Sequence, residues 1–185
     1  MILKFIQQNQ HNGAATFIFA PAVPCLWIAG QSIKIEVPGA YGPLEHRFTI
    51  SAAPYEQRIA ITTRRSNSAY KKSLFGLQPG ATVRAFGVEG TFTWQESALP
   101  AFFVAGGIGI TPMMSIRRTL ADRADSAHHE LVVAARTVED LMMREEIAEL
   151  TDDWTCKSPK WFSRRQLRNR GIPARRIRTE QFAVV

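Results

Sequence analysis

Cysteine is almost absent from this chain. Cys25 and Cys156 are the only two, too few to ligate an iron–sulfur cluster and no basis for a disulfide framework. A single bridge fits the count, but two reduced thiols in a cytoplasmic protein is the reading adopted here. Long hydrophobic runs are also missing: no stretch reaches the roughly 18 apolar residues that a spanning helix needs. The opening Met1-Ile2-Leu3-Lys4-Phe5-Ile6-Gln7-Gln8 lacks the basic start, long apolar core and small-residue cleavage site of a secretory signal. There is no internal repeat and no low-complexity tract. What remains is ordinary globular material, 45% apolar and 21% charged. Its 185 residues suffice for one large domain or two small ones.

Acidic residues are in short supply. Sixteen Asp and Glu face 23 Lys and Arg, for a formal charge of +7. The excess lies late in the chain, where Lys157, Lys160, Arg164, Arg165, Arg168, Arg170, Arg175, Arg176 and Arg178 follow one another with no intervening carboxylate. A basic face attracts anionic partners and speeds encounter. No nucleic-acid-binding motif accompanies it, and aromatics are not interleaved as a stacking platform requires. An acidic redox protein and a merely solvated face are the other two readings.

Two rhythms divide the chain. Up to about residue 97, short β-branched or alternating runs predict strands at Ala15–Phe19, Ser32–Val37, Arg47–Ser51, Ile59–Thr63 and Ala81–Phe86. Turn formers separate them, as an antiparallel barrel requires. A short helical stretch is expected between Ser68 and Leu77. From Leu99 onward strand and helix alternate, which predicts a parallel sheet. The expected strands are Ala101–Ala105, Glu130–Ala135 and Trp154–Cys156, and the expected helices Pro112–Ala121, Val138–Leu150 and Ser163–Arg170. The change falls at Ser97-Ala98-Leu99-Pro100. Met113, Met114, Met142 and Met143 read as core filler.

The most informative stretch is Val104-Ala105-Gly106-Gly107-Ile108-Gly109-Ile110-Thr111-Pro112. It joins a buried strand to a helix, with Thr111 expected to cap the helix and Pro112 to occupy its first position. Free N–H groups and the positive end of a helix dipole then face whatever lies above the turn, an arrangement suited to phosphate. A tight turn that binds nothing has the same composition, and three glycines alone do not decide between them.

Further segments stand in register with this turn: Trp27-Ile28-Ala29-Gly30-Gln31, His46-Arg47-Phe48-Thr49-Ile50-Ser51-Ala52-Ala53-Pro54, Ser68-Ala69-Tyr70-Lys71-Lys72-Ser73-Leu74, Leu77-Gln78-Pro79-Gly80, Gly87-Val88-Glu89-Gly90-Thr91-Phe92, Ala135-Arg136-Thr137-Val138-Glu139-Asp140-Leu141 and Arg178-Thr179-Glu180-Gln181-Phe182. In this order they resemble the ferredoxin–NADP reductase family over about residues 20 to 182. The resemblance is strongest to flavin reductase modules that serve oxygenases. It implies an antiparallel FAD-binding β-barrel over 1–97 and a Rossmann-like NAD(P)-binding α/β domain over 98–185. It also implies FAD and NAD(P)H as cofactors and a relay in which nicotinamide gives a hydride to flavin, which releases single electrons. The acceptor is then a separate acidic protein, a ferredoxin or an oxygenase component, meeting the basic face in a salt-sensitive association.

By the resemblance, Phe48 lies against the flavin ring and Thr49 bonds near its reactive nitrogen, with His46, Arg47, Ile50 and Thr63 alongside. Ser68, Ala69 and Tyr70 begin a helix beneath the flavin pyrophosphate, which Arg64 also reaches. Gly106, Gly107, Gly109, Thr111 and Pro112 face the nicotinamide nucleotide's pyrophosphate. Arg136 stands near its adenosine ribose, where an arginine favours a 2′-phosphate. Cys156 falls beside the nicotinamide, which makes it and Thr49 the two catalytic candidates. Each also has a plainer reading: Phe48 and Tyr70 as core, Arg64 and Arg136 as solvated surface, Cys156 as a buried structural thiol.

Two departures from the family pattern stand out. The phosphate-binding arginine falls on His46, and Arg47 beside it points to the other face of its strand. Histidine is mostly neutral at pH 7 where arginine is always charged, so flavin binding is expected to tighten as pH falls through the histidine pKa. After Leu150 the chain runs almost at once into Cys156-Lys157-Ser158-Pro159, similar to the family's Cys-Gly-Pro segment. A strand–helix unit of roughly 30 residues is thereby missing. An alternative follows: a flavin-binding, non-catalytic or regulatory subunit that has lost nicotinamide turnover. A cofactor-free anion-binding protein is the third possibility.

Overall fold

A computed structural model describes residues 1–96, 101–123, 129–138, 140–150 and 154–157, together with Arg168, Pro173 and Ile177. Strands β1 (Ile2–His11), β2 (Ala14–Pro21), β3 (Ser32–Val37), β4 (Leu44–Thr49), β5 (Ile59–Arg64) and β6 (Thr82–Glu89) form one antiparallel sheet, ordered β4-β3-β6-β1-β2-β5. Helix α1 (Ala69–Phe75) lies between β5 and β6 in sequence. A second sheet holds β7 (Phe102–Gly106), β8 (Glu130–Ala134) and β9 (Trp154–Lys157) in parallel, with α2 (Ile110–Asp122) and α3 (Arg144–Leu150) in the connections. The fold class read from the sequence is the one found.

Alternation builds the first sheet. In β3, Ile33, Ile35 and Val37 are buried while Ser32, Lys34 and Glu36 are half-buried, the period-2 pattern of a sheet with one face on a core. That core gathers Leu3, Phe5, Phe17, Phe19, Ile33, Ile35, Ile59, Ile61 and Leu74. The sheet curls until its edge strands meet. Ile50 bridges Ile61, and the Ser51 N–H donates to the Ala60 carbonyl at 2.8 Å. The parallel sheet reads differently, since consecutive Leu131, Val132 and Val133 of β8 are all buried, as in a strand covered on both faces. Met113, Met114, Met142 and Met143 are buried in this second core as expected.

The structure differs from the sequence-based expectations in four places. Strand β1 is absent from the expected set because Lys4, Gln7, Gln8 and Gln10 dilute its apolar face. The Asn12-Gly13 turn that joins it to β2 is the strong hairpin signal there. Strand β4 runs over Leu44–Thr49 rather than 47–51, because the backbone turns at Ser51 to dock on α2. The helix expected over 138–150 begins only at Arg144. Met143 has φ +59, and the preceding stretch is held by turn bonds from Asp140 N–H to the Thr137 carbonyl and from Leu141 N–H to the Val138 carbonyl. Thr111 does not cap α2: the helix starts at Ile110 after a 3-10 turn over Gly107–Gly109, and the Thr111 hydroxyl donates back to the Ile108 carbonyl at 3.0 Å. Pro112 is therefore third in the helix, where its missing N–H still costs no helical bond. The expected boundary at 97–100, the helix expected over 163–170 apart from Arg168, and nearly all of the basic run lie outside the described residues.

Candidate functional site

On β4, His46 and Phe48 share one face because they are two residues apart. They meet Tyr70 of α1, with ring centroids 4.7 Å apart for His46–Phe48, 5.5 Å for His46–Tyr70 and 5.7 Å for Phe48–Tyr70. Tyr70 is fixed by its hydroxyl, which donates to the Ile35 carbonyl at 3.1 Å, and burial raises its pKa. Helix α1 is started by Ser68, whose hydroxyl accepts from the Lys71 N–H at 3.3 Å in an ordinary N-cap. Ser68 and Ala69 are exposed.

Lys71 is the residue that the sequence reading passed over as part of a motif. Its side chain is buried, with Nζ 5.0 Å from the Phe48 ring centre and donating to the Thr63 hydroxyl of β5. It makes no ion pair among the described residues. Burial pulls its pKa down to about 8. The same burial, together with the nearby Lys71 charge, lowers the pKa of His46. His46 therefore gains its charge below the ordinary 6.5, and the pH at which it could assist an anion moves into a more acidic range than expected. The spacing of Tyr70, Lys71 and Leu74, all buried, is the helical period and was the available signal for Lys71.

Arg47 does face away from this cluster. Its guanidinium donates to the Gly87 carbonyl at 2.7 Å and pairs with Glu89 at 3.0 Å, tying β4 to β6 across β3. It is thereby separated from His46 and Phe48, with which the sequence reading had grouped it. Thr49 closes β4, buried opposite Ser32, and Ile50 is fully buried at the bridge to Ile61.

The glycine turn is seated against the other barrel edge. Gly107 has φ +53, and a Cβ there would stand 3.1 Å from a terminal nitrogen of Arg64, the exposed last residue of β5. Helix α2 is gripped below the turn by the loop that leaves β4: Ser115 donates to the Ala52 carbonyl at 2.7 Å and Arg118 to the Ser51 carbonyl at 3.1 Å. The Thr62 hydroxyl meets the Met143 sulfur at 3.7 Å. So the two strands that meet at the barrel seam carry the aromatic cluster, on β4, and the seat of the glycine turn, on β5, with Lys71 reaching from the cluster to Thr63 of β5. Ser115 and Arg118 were missed because nothing local marks a serine that bonds 63 residues away. Gly106 is exposed and Gly109 half-buried, while Thr111 and Pro112 are buried.

Arg136 follows β8 and is exposed. Cys156 is a half-buried free thiol on β9 opposite Val133, packed against the second core. Among the described residues no group of three or more His, Cys, Asp or Glu is placed to hold a metal, and no helix is long and apolar enough to cross a membrane. The donor set is instead one for phosphate esters beside a flat ring. It combines a buried ammonium lacking an anion among the described residues, an exposed guanidinium at a glycine turn, and an aromatic face.

Known proteins resemble this chain in sequence and in fold. The oxidoreductase NAD-binding domain family matches residues 103–175. Ferredoxin–NADP reductase B of Sorangium cellulosum is 35% identical over 128 residues, covering 68% of this chain and 52% of that protein. The reductase component of propane 2-monooxygenase from Rhodococcus jostii is 33% identical over 146 residues, covering 71% and 36%. This chain thus spans about half of the first relative and about a third of the second. Among solved structures, the flavohem-like FAD/NAD binding domain of nitric oxide dioxygenase from Vibrio cholerae superposes with a TM-score of 0.76 at 20% identity, covering 85% of this chain and 72% of that one.

Proposed function

We propose, on the premise that the chain belongs to the ferredoxin–NADP reductase family, that it is an NAD(P)H-dependent flavoprotein reductase serving a separate one-electron acceptor. The observation that carries this is the seam. The β4–β5 edge with its aromatic and cationic side chains adjoins a strand–glycine turn–helix unit, at 3.1 Å between Arg64 and the Cβ position of Gly107. Two dinucleotide-type ligands held on either side of such a seam bring their reactive ends together.

In this reading the barrel holds FAD. Phe48 offers its ring to the flavin, Thr49 a hydroxyl near the reactive nitrogen, and Ser68, Ala69 and Arg64 face the phosphates, with Ile50, Thr63 and Tyr70 shaping the floor. Gly106, Gly107 and Gly109 let a nicotinamide nucleotide approach the backbone closely, and Thr111 and Pro112 fix the start of α2 beneath it. Exposed Arg136 meets the 2′-phosphate of NADPH, and Cys156 is assigned to the nicotinamide side. When bound, flavin supplies the change from two-electron hydride uptake to one-electron release. The chain's own groups orient both ligands and exclude water through the Ser115–Ala52 and Arg118–Ser51 bonds. Domains of 1–97 for flavin and 98–185 for the nucleotide, a cytoplasmic setting and an acidic ferredoxin or oxygenase partner complete the proposal.

The test is anaerobic reduction. Purified protein is mixed with FAD, freed of excess, and its visible flavin absorbance followed as NADPH and then NADH is added. Bleaching is the expected outcome. Retained flavin that neither nucleotide bleaches overturns the reductase reading and leaves a non-catalytic flavin-binding subunit, the reading tied to the missing strand–helix unit.

A further inference from the structure

We infer that Lys71 carries the positive charge for a flavin phosphate that His46 does not supply, so that a buried lysine on α1 replaces the arginine expected on β4. The inference rests on the flavin reading of the barrel. Three observations support it independently of titration. Lys71 is only 7% exposed, yet it forms no ion pair among the described residues and its one hydrogen bond goes to a neutral hydroxyl, Thr63. Burying an ammonium without an anion is costly, so a site of this kind is completed by an anionic ligand. The side chain lies over Phe48 and near His46, in the patch where the cofactor's ring and phosphate are placed by the motif. The Lys71 backbone is pinned through its N–H to Ser68, so the side chain alone turns toward a ligand.

Other groups facing Lys71 do not offer the missing negative charge. His46 and Tyr70 are the titratable neighbours, neither an anion near neutral pH. Beyond these, Glu45 lies on the opposite face of β4 from His46 and is engaged with Lys34 at 3.2 Å, and Glu56 is engaged with Arg58 at 2.6 Å. Lysine is a compact point charge where arginine is a planar fork. Phosphate held by Lys71 is therefore recognised by charge, with less demand on its orientation.

Lys71→Met tests this, since methionine matches the length and apolar stem. Equilibrium titrations follow quenching of flavin fluorescence with FAD, FMN and riboflavin, and a parallel titration uses NADP+. Lys71→Met is expected to weaken FAD and FMN binding roughly 10- to 100-fold, the range for one charge-assisted hydrogen bond. Riboflavin, which has no phosphate, should bind as before and so reports an intact fold. Lys71→Arg should bind FAD as the parent does, and adding His46→Arg to Lys71→Met should restore affinity. Unchanged FAD binding in Lys71→Met overturns the inference, as does an equal loss of riboflavin. A loss confined to NADP+ overturns it too and moves the charge to the nucleotide side. Parent protein that takes up none of the flavins overturns the flavin reading, and this inference with it.

Discussion

Gly30 permits a stringent test of how the barrel and the α/β unit are fitted together. Its φ is +97, and a Cβ built there stands 2.1 Å from the Phe92 carbonyl oxygen and 3.4 Å from Ile116 Cδ1 of α2. Gly80 is a matched control, with φ +91 and nothing within 4 Å of its Cβ position. Gly80→Ala therefore carries only the conformational penalty of a side chain at positive φ, about 1–2 kcal/mol. Gly30→Ala adds overpacking against backbone that must retreat to beyond 3.0 Å, a further cost of about 1–3 kcal/mol. Urea unfolding of both variants, compared at a common m-value, should show Gly30→Ala the less stable by that second amount. If the two variants agree within about 0.5 kcal/mol, an ordinary surface difference, then Gly30 is not where connector, barrel and α2 converge. Binding of flavin should survive Gly30→Ala better than reduction by NADPH does, because the displaced parts are Phe92 and Ile116 rather than β4.

Four further outcomes follow from the site. In the flavin-free protein Lys71 titrates near pH 8 against 10.5 when unfolded. Between those values only the unfolded chain holds the proton, so unfolding free energy climbs with pH by at most about 3 kcal/mol, and the climb should vanish in Lys71→Met. His46 acts on the acid side: its pKa lies below the usual 6.5, so stability falls as pH drops under 6.5, and His46→Phe should remove that loss in thermal scans. Arg47→Gln breaks an ion pair that is one-third exposed at the arginine and mostly exposed at Glu89. It should cost no more than about 1 kcal/mol and leave the FAD dissociation constant unchanged; a large loss of FAD affinity would return Arg47 to the flavin side. Arg136→Ser should raise the KM for NADPH by roughly 10-fold, the worth of one charge-assisted contact, and leave that for NADH alone, as steady-state kinetics would show.

Much of this architecture is legible along the chain because its signals are local. Ile33-Lys34-Ile35-Glu36-Val37 alternates, the Val104–Pro112 stretch punctuates strand and helix, and Leu131-Val132-Val133 is an unbroken apolar run. What escaped depends on partners distant in sequence or on single backbone angles. The start of α3 is set by one positive φ at Met143, and apolar spacing carries no record of that. Thr111 looks like a cap, yet the 3-10 turn at Gly107–Gly109 starts the helix earlier and leaves its hydroxyl to bond inward. Lys71 lies in a motif recognised for its serine, and its burial comes from β4 and β5 packing around it. The opposite orientations of His46 and Arg47 were legible, being a property of any strand, whereas the capture of Arg47 by Glu89 and Gly87 needed the third strand, β6.

The pairing of β1 with β6, Ile2 opposite Arg84, sets an order of assembly. In a growing chain β1 waits for β6, and until residue 89 is free the β1–β2 hairpin has an unpaired edge exposed to other chains. Pairings so distant in sequence make folding slow, on a scale of milliseconds to seconds. All six barrel strands end before β7 begins. The barrel is thus complete in its own hydrogen bonds when the glycine turn emerges, and α2 docks through Ser115 and Arg118 onto a loop already in place. Slow synthesis across residues 90–100 should favour the native product over entangled or swapped dimers.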